Sequence, residues 1–172
     1  LAHHNVFFSA DYEAEFAAMC MEGRPAPDPT VYIAVSSVTD PGNAPDGCMN
    51  LFVMVNAPPL NGRINWELES PSYRANVLST LSRFGLTDVA QHVEVERIIT
   101  PADLEERYNA YRGAIYGTSS NSRMSAFLRP ANRSRVLKRL YFVGGSSHPG
   151  GGIPLVLLSG GIVANLVQED LR

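Results

Sequence analysis

Cysteine is scarce in these 172 residues: Cys20 and Cys48 are the only two, and no histidine stands near either at ligand spacing. They suit a reducing compartment or simple burial better than a disulfide framework. The chain has no Cys-x-x-Cys pair, no His-Glu-x-x-His run and no serine in a Gly-x-Ser-x-Gly elbow, so no metal site or hydrolase triad is expected. Charge is nearly balanced, with 14 Lys and Arg against 17 Asp and Glu, and a net charge of -3 gives no argument for a nucleic-acid partner. No apolar run approaches the roughly 18 residues of a spanning helix, and the first residues lack a signal-peptide pattern. What remains is an ordinary globular composition, 45% apolar, in a chain long enough for one domain with a core.

Glycine, by contrast, is concentrated. Leu140 to Pro154 reads Leu-Tyr-Phe-Val-Gly-Gly-Ser-Ser-His-Pro-Gly-Gly-Gly-Ile-Pro. Tyr141, Phe142 and Val143 are strand formers. Gly144, Gly145, Gly150, Gly151 and Gly152 free the backbone to approach a ligand or take positive φ, and Pro154 suits a first helical turn. A helix start presents unpaired amides that favour an anion or an electron-rich ring. The pattern predicts a strand delivered into a ligand-cradling helix start; a glycine corner serving only tight packing accounts for the same residues.

The rest of the chain reads as alternating short elements. Ala2 to Phe8 is a strand already under way, which together with Leu1 in place of methionine predicts the C-terminal portion of a larger protein. Asp11 to Met21 predicts a short amphipathic helix with Phe16, Met19 and Cys20 on its apolar side, and Gly23, Pro25, Pro27 and Pro29 a rigid linker. Thr30 to Val38 and Met49 to Val55 predict an antiparallel pair across a turn-rich loop. Ser70 as cap, Pro71 at the first position and Gly85 as stop predict a helix whose Tyr73, Val77, Leu78, Leu81 and Phe84 form one stripe facing a sheet. His92 to Ile99 alternates as a half-exposed strand, with Val93 and Val95 inward. Thr100-Pro101-Ala102-Asp103 is a capping signature opening a helix through about Arg107. Tyr108 to Phe127 suggests irregular chain or short strands lining a cavity. Pro154 to Glu169 predicts a helix apolar on nearly all sides, its Gly160-Gly161 pair implying a close neighbour. The fold class is α+β or mixed α/β.

Few side chains offer chemistry. His3 and His4 are adjacent and would face opposite ways on a strand, which excludes a simple two-histidine metal pair and leaves a structural role or one ring facing a substrate channel. His148 is a hydrogen-bonded loop histidine or a ligand contact. Leu128 to Leu140 carries Arg129, Arg133, Arg135, Lys138 and Arg139 with no acid. That is a solvated basic face or a contact for anionic lipid headgroups. With no convincing acid–base pair, a bound organic cofactor is the most compatible chemistry.

A wider pattern joins these segments. His3-His4, the loop from Thr39-Asp40 to Pro45-Asp46-Gly47-Cys48, Ile99 to Asp103, Asn109-Ala110-Tyr111-Arg112-Gly113, Phe127-Leu128-Arg129-Pro130 and Gly144 through Gly161 follow in that order. In this the chain resembles, along essentially its whole length, the C-terminal portion of the phytoene desaturase family, the bacterial-type carotenoid desaturases with related oxygenases and saturases. The resemblance implies a two-domain FAD-dependent oxidoreductase. Residues 1–127 would be a substrate-domain portion, an antiparallel sheet with helices over an apolar tunnel. Residues 128–172 would be the closing strand-turn-helix of a Rossmann-like FAD domain. Gly144, Gly145, Ser146, His148, Pro149, Gly150, Gly151, Gly152, Ile153 and Pro154 would then lie along the ribityl chain and flavin ring, the helix start facing the N1–C2=O edge.

The chain departs from many flavoproteins in having Gly145-Ser146 where an acid often follows the last strand glycine, which leaves backbone amides and Ser146 for the ribityl hydroxyls. It holds no Gly-x-Gly-x-x-Gly fingerprint, so the adenosine contacts are expected upstream and the piece alone is expected to be inactive. The implied reaction introduces double bonds into a hydrophobic polyene by hydride transfer to flavin. Oxygenation, isomerisation, saturation, or a non-catalytic interaction module built on the fold are the alternatives. The implied location is cytoplasmic and peripheral to an anionic membrane surface. No residue commits itself as a base, and none is assigned.

Overall fold

Val31, Ile33 and Val35 alternate with less buried neighbours, and that period of two builds the centre of a three-stranded antiparallel sheet. The computed structural model describes residues 1–116 and 129–172, in two compact units, Leu1–Gly113 and Ala114–Arg172. In the first unit β1 (His4–Phe7), β2 (Val31–Ala34) and β3 (Phe52–Val55) lie in that order. Ile33 stands opposite Asn5 and Val53, and Val31 opposite Phe7 and Val55. The antiparallel pair expected around residues 30–55 forms, with shorter strands.

Helix α1 (Tyr12–Phe16) starts where the Asp11 carboxylate accepts the Ala14 N–H at 2.9 Å. It continues as a π-helical turn, Ala17–Glu22, closed by Gly23 in the left-handed region. That wider winding moves the buried face to Glu15, Ala18 and Met19 and leaves Phe16 and Cys20 exposed, a correction to the 3.6-residue reading. The following proline-rich stretch is no free spacer, since Ala26 and Pro29 are buried.

Helix α2 (Trp66–Arg83) begins earlier than the sequence suggested: Asn65 caps it, accepting from Glu67 N–H at 3.0 Å. Pro71 therefore lies inside the helix, and the Glu67 carbonyl loses its intrahelical donor. Glu67 and Glu69 in the first turn complement the positive end of the helix and make the Asn65 start the favoured one. The far end is as read. Leu86 N–H bonds the Leu81 carbonyl at 3.1 Å and Gly85 N–H the Ser82 carbonyl at 3.0 Å, a Schellman closure that needs the positive φ of Gly85. Leu81 seals the core with Val31, Ile33 and Val35, while Phe7, Val55, Val77 and Leu86 pack around it.

No strand forms over 92–99. A 3-10 turn, Val89–His92, is followed by irregular chain in which Val95 is 92% exposed and Glu96 is engaged by Arg74 at 2.8 Å. A strand needs a ladder partner, and among the described residues none runs beside this stretch. Helix α3 (Pro101–Tyr108) has the full capping box: Thr100 Oγ1 accepts from Asp103 N–H and Asp103 accepts from Thr100 N–H. Gly113 closes the unit at a point where a Cβ would sit 2.1 Å from the Pro101 carbonyl oxygen. The strands suggested within 108–127 lie mostly outside the described residues; Tyr111–Gly113 is a 3-10 turn.

The second unit is built on α4 (Ile153–Asp170), as its apolar pattern predicted. The strand over 141–143 reduces to one antiparallel bridge, Arg133 to Tyr141, because the described residues supply no further strand, and Phe142 and Val143 stay exposed. A Cβ on Gly160 or Gly161 would meet nothing within 4 Å, so the close neighbour expected there is absent among the described residues. Both cysteines are free and exposed rather than buried. The architecture is a mixed α+β arrangement of a small antiparallel sheet with several helices.

Candidate functional site

A single amide organises the glycine turn. Asn132, 5% exposed, directs its Nδ2 group at the carbonyls of Phe142 (3.0 Å) and His148 (2.8 Å) and at the Ser159 hydroxyl (3.1 Å), so two hydrogens are shared among three acceptors. Its backbone carbonyl accepts from Phe142 N–H at 2.9 Å. Ser159, wholly buried on α4, also accepts from Gly144 N–H at 3.2 Å and lies 3.4 Å from the Ser147 hydroxyl. Ser147 in turn donates to the Gly144 carbonyl at 3.1 Å. Gly144 at the start of the turn and Ser147 within it are thereby tied to the helix that follows, through Ser159.

Sequence reasoning missed Asn132, Ser147 and Ser159. Ser159 carried a signal, being the lone hydroxyl in an apolar helix, where burial demands a partner. Asn132 was masked by the arginines around it.

The turn itself is shaped by positive φ at Gly144 (117°), Gly150 (130°) and Gly152 (101°). Gly151 is not in that region, and a Cβ there would lie 3.4 Å from Tyr116 Cδ1. Among the described residues a Cβ on Gly144 or Gly152 would meet nothing within 4 Å, which leaves the backbone at both open to a ligand on that side. Among the described residues no side chain caps α4; no acid stands in its first turn, and the Ile153 and Leu155 N–H groups have no intrahelical carbonyl to reach. Arg129 lies alongside, its Nε 2.9 Å from where a Gly150 Cβ would be. Bare amides, a helix start and a nearby guanidinium together favour negative charge. These residues fit the anionic and electron-rich edge of a flavin, and they would fit a phosphate by the same chemistry.

Of the other residues singled out, Ser146 and His148 are on the exposed side of the turn, and His148 N–H is held by the Pro130 carbonyl at 2.9 Å. Ile153 is 79% exposed. His3 and His4 do not point apart, because His3 precedes β1 rather than lying in it. Their rings are 4.4 Å apart, His3 Nδ1 meeting Thr39 Oγ1 at 2.5 Å and His4 Nδ1 meeting Tyr32 OH at 2.8 Å. In the same unit Glu15 is a buried carboxylate, accepting from Thr30 Oγ1 at 2.6 Å and Asn56 Nδ2 at 3.5 Å. Burial, with Glu15 as a lesser cause, pushes the Tyr73 phenol well above its usual value.

The basic run does not act as one face. Arg129 belongs to the turn. Arg133 pairs with Asp170 at 2.9 Å and Glu169 at 3.5 Å at the end of α4. Asp170 also accepts from the Tyr141 hydroxyl, and that hydrogen bond raises the phenol's pKa. Arg135, Lys138 and Arg139 remain exposed. Among the described residues no helix is long and apolar enough to cross a membrane.

No protein-family model matches the chain. It is 46% identical over 166 residues, 96% of its length, to 1-hydroxycarotenoid 3,4-desaturase of a Flavobacterium species. It is 38% identical over 173 residues, all of its length, to 4,4'-diapolycopene oxygenase of a Methylomonas species. A 4,4'-diaponeurosporene oxygenase of Staphylococcus haemolyticus is 38% identical over 168 residues, 98% of the chain. The chain spans about a third of the length of these curated relatives, 34%, 35% and 34% respectively.

Proposed function

This chain belongs to the carotenoid desaturase and oxygenase family, and on that premise we propose that it is part of a FAD-dependent oxidoreductase acting on a hydrophobic polyene. The observation that carries the reading is the glycine turn opening an uncapped helix, in a chain matched by carotenoid-acting enzymes along nearly its whole length. Residues 1–127 then contribute to a substrate domain, and residues 128–172 close a Rossmann-like FAD domain. FAD, when bound, would supply the hydride acceptor for a saturated carbon–carbon pair beside the polyene, the accompanying proton leaving to a base or to water.

The residues of the turn and its supports have three tasks in this reading. Gly144, Gly145, Gly150, Gly151 and Gly152 let the backbone approach the cofactor, with Ser146, His148 and Pro149 along the same turn. Ile153 and Pro154 bring the open amides of α4 toward the flavin edge that becomes negative on reduction, and Arg129 adds a fixed positive charge there. Asn132, Ser147 and Ser159 hold that geometry so that little reorganisation is needed when charge develops. The substrate offers no charge, so its binding rests on apolar burial at about 25 cal/mol per Å².

Desaturation is the reading preferred for the reaction; oxygenation is the second, favoured by the relatives named as oxygenases. The full-length protein should be purified, its flavin extracted and identified, and its products from phytoene-type and lycopene-type substrates analysed. Bound FAD with products gaining double bonds supports desaturation, and oxygenated products support the second reading. A protein without flavin and without turnover contradicts both and leaves an interaction module. We further propose a cytoplasmic location with peripheral membrane association, in keeping with an apolar substrate held in lipid, which fractionation of the native host tests.

A further inference from the structure

Ser134 and Leu140 close a tight turn in the second unit. Ser134 N–H donates to the Leu140 carbonyl at 2.9 Å, and Ser134 Oγ accepts from the N–H groups of Val136 at 3.2 Å and Leu137 at 3.0 Å. Arg133 and Tyr141 pair as an antiparallel bridge at its base, and Arg139 takes a φ of 61° to complete it. The turn is therefore held by its backbone and one serine, not by packing of its tip. At that tip Val136 is 90% exposed and Leu137 59% exposed. Arg135, Lys138 and Arg139 flank them, all exposed, and none is in an ion pair among the described residues. No acid occurs from 129 to 140.

One exposed aliphatic side chain needs no explanation. Two adjacent ones, raised on a rigid turn and ringed by three cations, match one environment closely. A lipid surface offers phosphates for the cations and an acyl boundary for the aliphatic tip. We propose that the 134–140 turn is a membrane-anchoring loop, Val136 and Leu137 entering the acyl boundary of an anionic bilayer while Arg135, Lys138 and Arg139 contact lipid phosphates. Arg133 is excluded, because the α4 carboxylates already hold it. The inference deepens the proposed action on a polyene, since an apolar substrate is stored in lipid, but lipid binding can be read without flavin or turnover.

The test uses the full-length protein carrying this chain, co-sedimented with vesicles of phosphatidylcholine alone and of phosphatidylcholine with phosphatidylglycerol. Each basic residue near an anionic surface strengthens association by about fivefold. Wild type should favour the anionic vesicles, and R135Q/K138Q/R139Q should weaken that binding about a hundredfold. V136S/L137S should weaken it at least tenfold, leaving a residue of binding that salt removes. These side chains face solvent, so the circular dichroism and flavin content of all variants should match wild type. Binding by both variants equal to wild type, or wild-type binding indifferent to lipid charge, would overturn the proposal. Absence of flavin and turnover in wild type would count against the proposed function alone, with the lipid result still readable.

Discussion

Asn132 Nδ2 and Ser159 Oγ meet at 3.1 Å, both groups out of reach of water, and this contact ties the segment before the glycine turn to the helix after it. In Asn132→Ala the buried Ser159 hydroxyl and the carbonyls of Phe142 and His148 lose a donor at once. The expected destabilisation is about 1–3 kcal/mol, read from denaturant unfolding of the full-length protein. Flavin content should fall with it, because the turn loses its anchor. An unchanged unfolding midpoint and unchanged flavin would show that water replaces the amide without consequence.

Pro71 should be a net liability to α2. Replacing it with alanine restores an N–H for the Glu67 carbonyl and removes the ring from the helix interior, against a smaller loss from a more flexible unfolded chain. Pro71→Ala is expected to raise stability by about 1–2 kcal/mol. A lower melting temperature would mean that the proline ring packs in a way that outweighs its backbone defect.

Two carboxylates should set the acid limb of stability. Arg83 holds Asp28 below the ordinary carboxylate pKa chiefly by hydrogen bonding, and Thr100 does the same for Asp103 through its hydroxyl and N–H. Unfolding returns both to the ordinary value of about 3.9. Their contribution is therefore present in full above about pH 5 and is lost as pH falls through the depressed folded values. Urea denaturation between about pH 6 and pH 2 should show a shallower acid decline for Asp28→Asn and Asp103→Asn than for wild type. Identical slopes would remove these two groups from the acid response. Both are partly solvent-screened, so the changes should be modest.

The sequence made the local signals plain and the pairing-dependent ones deceptive. The Thr100 capping box, the Gly85 stop, the 30–55 strand pair and α4 were all legible, because a cap, a left-handed glycine or a run of apolar residues acts within a few positions. The strands read over 92–99 and 141–143 failed for one shared reason. Alternation over 92–99 and strand-forming residues over 141–143 mark a chain that could pair, while a strand exists only where a neighbour runs beside it. The Ser70 start was displaced by the stronger cap at Asn65, and the π turn after Phe16 changed the period on which the amphipathic reading relied. At the candidate site the glycines were visible by composition. The residues that hold them, Asn132, Ser147 and Ser159, were not, since each acts only through contacts distant in sequence.

The glycine turn at the start of α4 is proposed to lie against a flavin, and Gly151 probes that placement without backbone strain because its φ is not in the positive region. A valine there introduces bulk where a Cβ already meets Tyr116 at 3.4 Å and where the cofactor is proposed to pass. The measurement is the molar ratio of FAD to full-length protein for wild type, Gly151→Val and the control Gly161→Ala, whose added methyl would meet nothing within 4 Å among the described residues. FAD should be near stoichiometric in wild type and in the control, with a large loss in Gly151→Val and circular dichroism preserved. Full FAD occupancy and normal turnover in Gly151→Val would contradict that placement.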